Sequence, residues 1–60
     1  MNPIYKVISI DLRNMRNYVI FKSEDEQEAR RFFDNEKVVS GKEKQLSVNY
    51  CGSETLIETK

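Results

Sequence analysis

A chain of 60 residues with 38% hydrophobic and 33% charged side chains makes one domain, residues 1–60, near the lower size at which a core can be buried unaided. Its formal net charge of zero argues against both disorder and tight non-specific nucleic-acid binding, because the first wants high charge and the second a basic excess. With no histidine and a single cysteine, Cys51, an intrachain disulfide, a cysteine–histidine zinc site and imidazole base catalysis are all excluded.

The first ten residues, MNPIYKVISI, alternate instead of running apolar, so they read as a strand and not as a secretion signal. No apolar run approaches the ~20 residues needed to cross a bilayer. A soluble, cytoplasmic protein is the expectation.

Ile4 to Leu12 has the period of two of a strand. One face carries Ile4, Ile8, Ile10 and Leu12, interrupted by Lys6, and is expected to be the core face. The other, with Tyr5 and Val7 followed by Ser9 and Asp11, is expected to point outward. Pro3 just precedes the strand, where its missing N–H is tolerated. Arg13-Asn14-Met15-Arg16-Asn17 is polar and rich in asparagine, hence a turn. Tyr18 to Lys22 (YVIFK) is a second strand. The connection is too short for a crossover helix, so the two form an antiparallel hairpin. The unbroken apolar character of YVIF predicts a central strand.

Ser23 followed by Glu26 has the spacing of a capping box and predicts a helix starting at Glu24. Glu24, Asp25, Glu26 and Glu28 fall at the positive end of its dipole, with Arg30, Arg31 and Lys37 toward the other end. Ala29, Phe32 and Phe33 share a stripe that must dock on the sheet, and the helix should end near Asn35 or Glu36. Val38 and Val39 then lead into a polar loop, Ser40 to Lys44. Leu46, Val48 and Tyr50 alternate with Ser47 and Asn49 in a third strand. Cys51 to Glu54 is a tight connection, with Gly52 free to take positive φ. Thr55 to Thr59 closes the chain as a short strand. The fold class is therefore α+β: a small β-β-α-β-β domain with one short helix packed on one face of a mainly antiparallel sheet.

No chemistry-bearing constellation emerges. Gly41 and Gly52 are isolated turn residues, not a phosphate-binding loop. The carboxylates of Glu24 to Glu28 sit on the exposed first turns of a helix, where capping and solvation account for them. No catalytic residue, metal ligand or cofactor is expected, and the chain is read as a non-enzyme.

Three surfaces are candidates for binding. The Arg13–Asn17 loop puts Arg13, Asn14, Met15 and Arg16 on a hairpin tip beside Tyr18, and arginine, methionine and tyrosine are residue types enriched at protein interfaces. The outward sheet face should carry Tyr5, Val7 and either Val19 with Phe21 or Tyr18 with Ile20, more than one short helix can cover. The acidic helix could meet a basic groove. Charge is unevenly spread, +3 over residues 1–22, −4 over 23–36 and +1 over 37–60, which can orient a charged partner.

The expectation is a non-catalytic interaction module that docks on and modulates a larger protein, as an inhibitor or adaptor, as a monomer or a homodimer. Compact viral genomes are one setting for such domains. The partner-binding residues would be Tyr5, Arg13, Asn14, Met15, Arg16 and Tyr18. The alternatives are single-stranded nucleic-acid binding through the sheet face and the Arg13–Asn17 loop, or a structural homodimer with no other ligand. A membrane is not an expected partner.

Overall fold

The computed structural model describes residues 2–37 and 40–60. Its elements are β1 (Ile4–Asp11), β2 (Arg16–Ser23), α1 (Glu26–Asn35), β3 (Lys42–Tyr50) and β4 (Ser53–Thr59). The strands form one antiparallel sheet in the order β2-β1-β3-β4. This is the expected β-β-α-β-β domain, with α1 packed against β1, β2 and β3. Val38 and Val39 lie outside the described residues.

β2 is an edge strand, not a central one. Its apolar run has another cause. The pairing passes from Val7 opposite Phe21 to Ile8 opposite Val19, which leaves Ile20 as an extra residue. β4 does the same: Leu46 faces Glu58 and Ser47 faces Leu56, so Ile57 is extra. Both edges of the sheet thus carry a bulge, a device that breaks the row of free backbone groups and discourages edge-to-edge pairing. The bulges also shift the alternation. Phe21 and Ile57 both reach the core on the helix side.

The core is Val7, Ala29, Phe33 and Leu46, all fully buried, with Tyr5, Phe21, Phe32 and Ile57 packed around it. The helical stripe Ala29, Phe32, Phe33 docks as its spacing predicts, although Phe32 is only half-buried and stacks on Phe21 with ring centroids 4.4 Å apart. The two faces of β1 are the reverse of the expectation. Tyr5 and Val7 lie under the helix. Ile4, Ile8 and Ile10 lie on the uncovered face, since adjacent residues of a strand alternate sides and Val7 pairs with both Phe21 and Leu46. Alternation shows two apolar faces but not which of them the helix will choose.

α1 begins two residues later than the capping box suggests. Asp25, in extended backbone, is the N-cap, and its carboxylate accepts from the N–H of Gln27 (2.9 Å) and Glu28 (3.4 Å). The Ser23 hydroxyl accepts from Asp25 N–H (3.0 Å) and so orders the entry to the helix. Glu26 returns no bond to Ser23, because its carboxylate receives the Tyr5 hydroxyl (3.1 Å) and Arg30 Nε (2.8 Å). Arg30 continues to Glu58 of β4 at 3.6 Å, and Lys60 reaches Asp34 at 3.2 Å. These pairs tie the exposed side of the helix to the far edge of the sheet.

The expected loop Ser40–Lys44 is shorter than predicted: β3 already begins at Lys42. Lys44 is buried, 5% exposed. Its ammonium donates to the carbonyls of Phe33 and Glu36 at the end of the helix, which otherwise have no intrahelical donor. At the opposite end of the sheet, Cys51 (φ 53°) and Gly52 (φ 83°) form the two-residue turn between β3 and β4. Two positive φ values suit the right-handed twist of a hairpin.

Candidate interaction surfaces

The β1–β2 hairpin tip is built by local hydrogen bonds. Asp11 accepts at its carboxylate from Arg13 N–H (3.0 Å) and at its carbonyl from Met15 N–H (2.7 Å). Asn14 Oδ1 accepts from Arg16 N–H (3.0 Å), and Leu12 N–H donates to the carbonyl of Gly41, just before β3 (2.9 Å). The turn is therefore tied to its own strands and to the neighbouring one. Met15, the last residue of the turn before β2, has φ 58° and 69% exposure. A left-handed conformation costs a non-glycine residue about 1–2 kcal/mol, so this apolar side chain is held in solvent at some expense. Arg13 reaches back toward Asp11 only weakly, at 3.9 Å, and its side chain is largely free.

Of the six residues singled out from the sequence, Arg13, Asn14, Met15 and Arg16 are brought together here, the last as the first residue of β2 and not as loop. Tyr18, half-exposed, follows on β2 opposite Ser9. Tyr5 is elsewhere: six residues along β1 from Asp11, it is about 20 Å away at the usual strand rise. Its phenol bonds Glu26 under the helix entry. Burial and the adjacent carboxylate raise its pKa above the usual 10.0. The bonds from Arg30 and Tyr5 hold Glu26 below the usual carboxylate range.

The second surface is the uncovered sheet face. Register places Ile4, Lys6, Ile8 and Ile10 of β1 on it, with Lys22 and Val19 of β2, the row Glu43, Gln45, Ser47, Asn49 of β3, and Glu54 and Leu56 of β4. Val19 and Leu56 are 48% and 54% exposed. The face is aliphatic along β1 and polar along β3. It carries two lysines and two glutamates, and Lys6 and Glu54 pair across it at 3.2 Å. None of these residues is aromatic, so the face offers no platform on which bases could stack. Ser47, at its centre, is 3% exposed, and its hydroxyl has no hydrogen-bond partner among the described residues.

At the acidic start of α1, Asp25 is engaged in capping and Glu26 in the Tyr5–Glu26–Arg30 chain. A depression of about 220 Å³ beyond the helix C-terminus is lined by Ser9, Ile20, Glu36 and Lys37 with Lys42 and Lys44 of β3. It is smaller than ordinary ligand pockets. Among the described residues no cluster of three or more cysteine, aspartate or glutamate side chains converges as metal ligands would, and no helix is long and apolar enough to cross a membrane. Cys51 is exposed and free.

Sequence reading missed Lys44 and the two bulges. A lysine in a polar run gives no sign of burial until the helix end is placed beside it. A bulge leaves only an apolar run longer than its alternation needs, visible in Val19-Ile20-Phe21 and in Leu56-Ile57. The chain matches no protein-family model, no curated protein and no solved structure.

Proposed function

We propose that this chain is a non-catalytic interaction module that docks on a larger protein and modulates it through the Arg13–Arg16 hairpin tip, with Tyr18 beside it. The observation that carries the reading is Met15: an apolar side chain held at 69% exposure in left-handed backbone, at a position where glycine or asparagine would be unstrained. Backbone strain at an exposed tip is a recurrent mark of binding sites. Two flanking arginines supply charge that a partner can pair, and the network around Asp11 and Asn14 presents them without much ordering cost on binding. An exposed free thiol at Cys51 fits a reducing compartment such as the cytoplasm.

The test is cross-linking capture with the immobilised domain, comparing wild type with Met15→Ala, with Arg13→Ala/Arg16→Ala, and with Val19→Lys on the open face. A protein retained by wild type and by Val19→Lys but lost with either tip variant supports docking through the tip. Retention by both tip variants overturns it. Raising salt from about 50 to 200 mM should weaken capture modestly. A loss of several orders of magnitude would mark a phosphate-binding surface instead.

A further inference from the structure

We propose that the hairpin tip docks on an acidic protein surface, where Arg13, Arg16 and Lys42 meet carboxylates that border an apolar pocket for Met15. The inference rests on the tip being the docking site and adds the chemistry of what it meets.

Register brings to the tip a cation that the turn itself does not contain. Arg16 of β2 and Lys42 of β3 both stand opposite Asp11, one on each side of β1. Adjacent strands lie about 4.8 Å apart, so these two cations leave the sheet about 10 Å from each other and on the same side. Tyr18, two residues along β2 from Arg16, shares that side. Arg13 lies in the turn beyond, its side chain 86% exposed.

The carboxylate enclosed by these residues does little to offset them. Asp11 has a side chain only 18% exposed, and it accepts the backbone N–H of Arg13. Arg16 and Lys42 are both exposed, and neither is ion-paired among the described residues. Glu43, next along β3 from Lys42, falls on the other face of the sheet, where Gln45 approaches its carboxylate at 3.5 Å. Three cations and an apolar side chain therefore face solvent together at one end of the molecule.

The other end has the opposite sign. Beside the Tyr5 end of β1, the chain enters α1 through Glu24, Asp25, Glu26 and Glu28, and Glu54 stands near the start of β4. There Lys6 and Arg30 are spent on Glu54 and Glu26, and Lys22 is outnumbered. A chain of zero net charge with its poles at the two ends of its strands is turned tip first by an acidic surface, which repels the far end. A nucleic acid is held by many cations along its track. This tip offers three, set around a methionine that phosphates cannot use.

The test is selection of a random-peptide phage library on the immobilised chain, followed by titration of a synthetic peptide from the enriched set. Enriched peptides should combine two or more aspartates or glutamates with a large apolar residue. Arg16→Glu and Lys42→Glu should each weaken the peptide at least about tenfold, with the circular dichroism of the fold retained, and the milder Arg16→Gln and Lys42→Gln should act in the same direction. Replacing the peptide's acids with lysine should restore binding to the charge-reversed variants. Lys22→Glu, at the far end of β2, should change nothing. Peptides that need Met15 but carry no acid, or that ignore both charge reversals, overturn the acidic partner and leave the tip as the docking site. A selection that yields only peptides indifferent to Met15→Ala, Arg16→Glu and Lys42→Glu, or none, overturns both. Tighter binding of oligothymidylate or of phosphatidylserine vesicles than of the peptide overturns the proposal in favour of phosphate.

Discussion

Lys44 donates its ammonium protons to the carbonyl of Phe33 while the same ammonium stands 5.0 Å from the centre of that residue's ring. Lys60 approaches the ring as well, at 4.9 Å. One strand lysine thus does for α1 what a C-terminal capping residue usually does from within the helix, where the last turn contains no basic residue. A cation at this end also meets the negative pole of the helix dipole. The arrangement joins the end of the helix to the middle of the sheet.

Burial and the nearby Lys60 push the pKa of Lys44 below its usual 10.5, against the opposing pull of Glu36 and Asp34. Protons then leave the folded chain before the unfolded one, so the Lys44 contribution to stability rises as pH climbs through the folded value and levels off by 10.5. In urea titrations from pH 7 to 10.5, the stability of wild type relative to Lys44→Met should shift in favour of wild type. A pH-independent difference would show that Lys44 is solvated like a surface lysine.

Acid acts through Glu26, whose folded pKa lies below the usual 4.5. Its contribution is complete above 4.5 and is lost as pH falls through the folded value. Glu26→Gln should flatten the acid limb of the stability profile between pH 5 and pH 3, relative to wild type. The Tyr5 phenol behaves oppositely, losing its contribution as pH rises from 10.0 through its raised value.

The observed cap can be told from the one expected from sequence by two substitutions. Asp25→Ala should cost about 0.5–2 kcal/mol, the range for a lost N-cap. Ser23→Ala should cost less, since its hydroxyl holds only the Asp25 N–H. The reverse order in chemical denaturation would restore Ser23 as the cap.

Phe33→Ala should leave the chain unfolded at room temperature. About 3–5 kcal/mol is lost when a buried phenylalanine is truncated, and a core with four fully buried hydrophobic side chains among the described residues has little in reserve. Phe21→Leu and Phe32→Leu, each half-buried, should be tolerated. Their double-mutant cycle should return a coupling of about 0.5–1.5 kcal/mol from the stacked rings. Zero coupling would mean that the stacking contributes only area.

Relieving the hairpin tip should stabilise the fold. Met15→Gly removes the left-handed penalty and is expected to raise stability by up to about 1 kcal/mol. Gly52→Ala, in the opposite turn at φ 83°, should lower it by a similar amount. A destabilised Met15→Gly variant would mean that Met15 makes contacts that offset its strain.

The sequence by itself determined the elements and their order. Alternation marked Ile4 to Leu12 and Leu46 to Tyr50 as strands, the 3.6-residue spacing of Ala29, Phe32 and Phe33 marked the helix and its buried stripe, and a five-residue polar link forced the hairpin. These are local properties, written in the spacing of neighbours along the chain. Tertiary structure decided the rest. Strand order put β2 at an edge, bulges at Ile20 and Ile57 changed which side chains share a face, and the helix covered Tyr5 and Val7 instead of the isoleucine row. It also buried Lys44 against a helix end eight residues away in sequence. In each case the outcome depends on which of two comparable surfaces a distant element comes to lie against. A chain with an apolar residue on both faces of its first strand leaves that choice to packing.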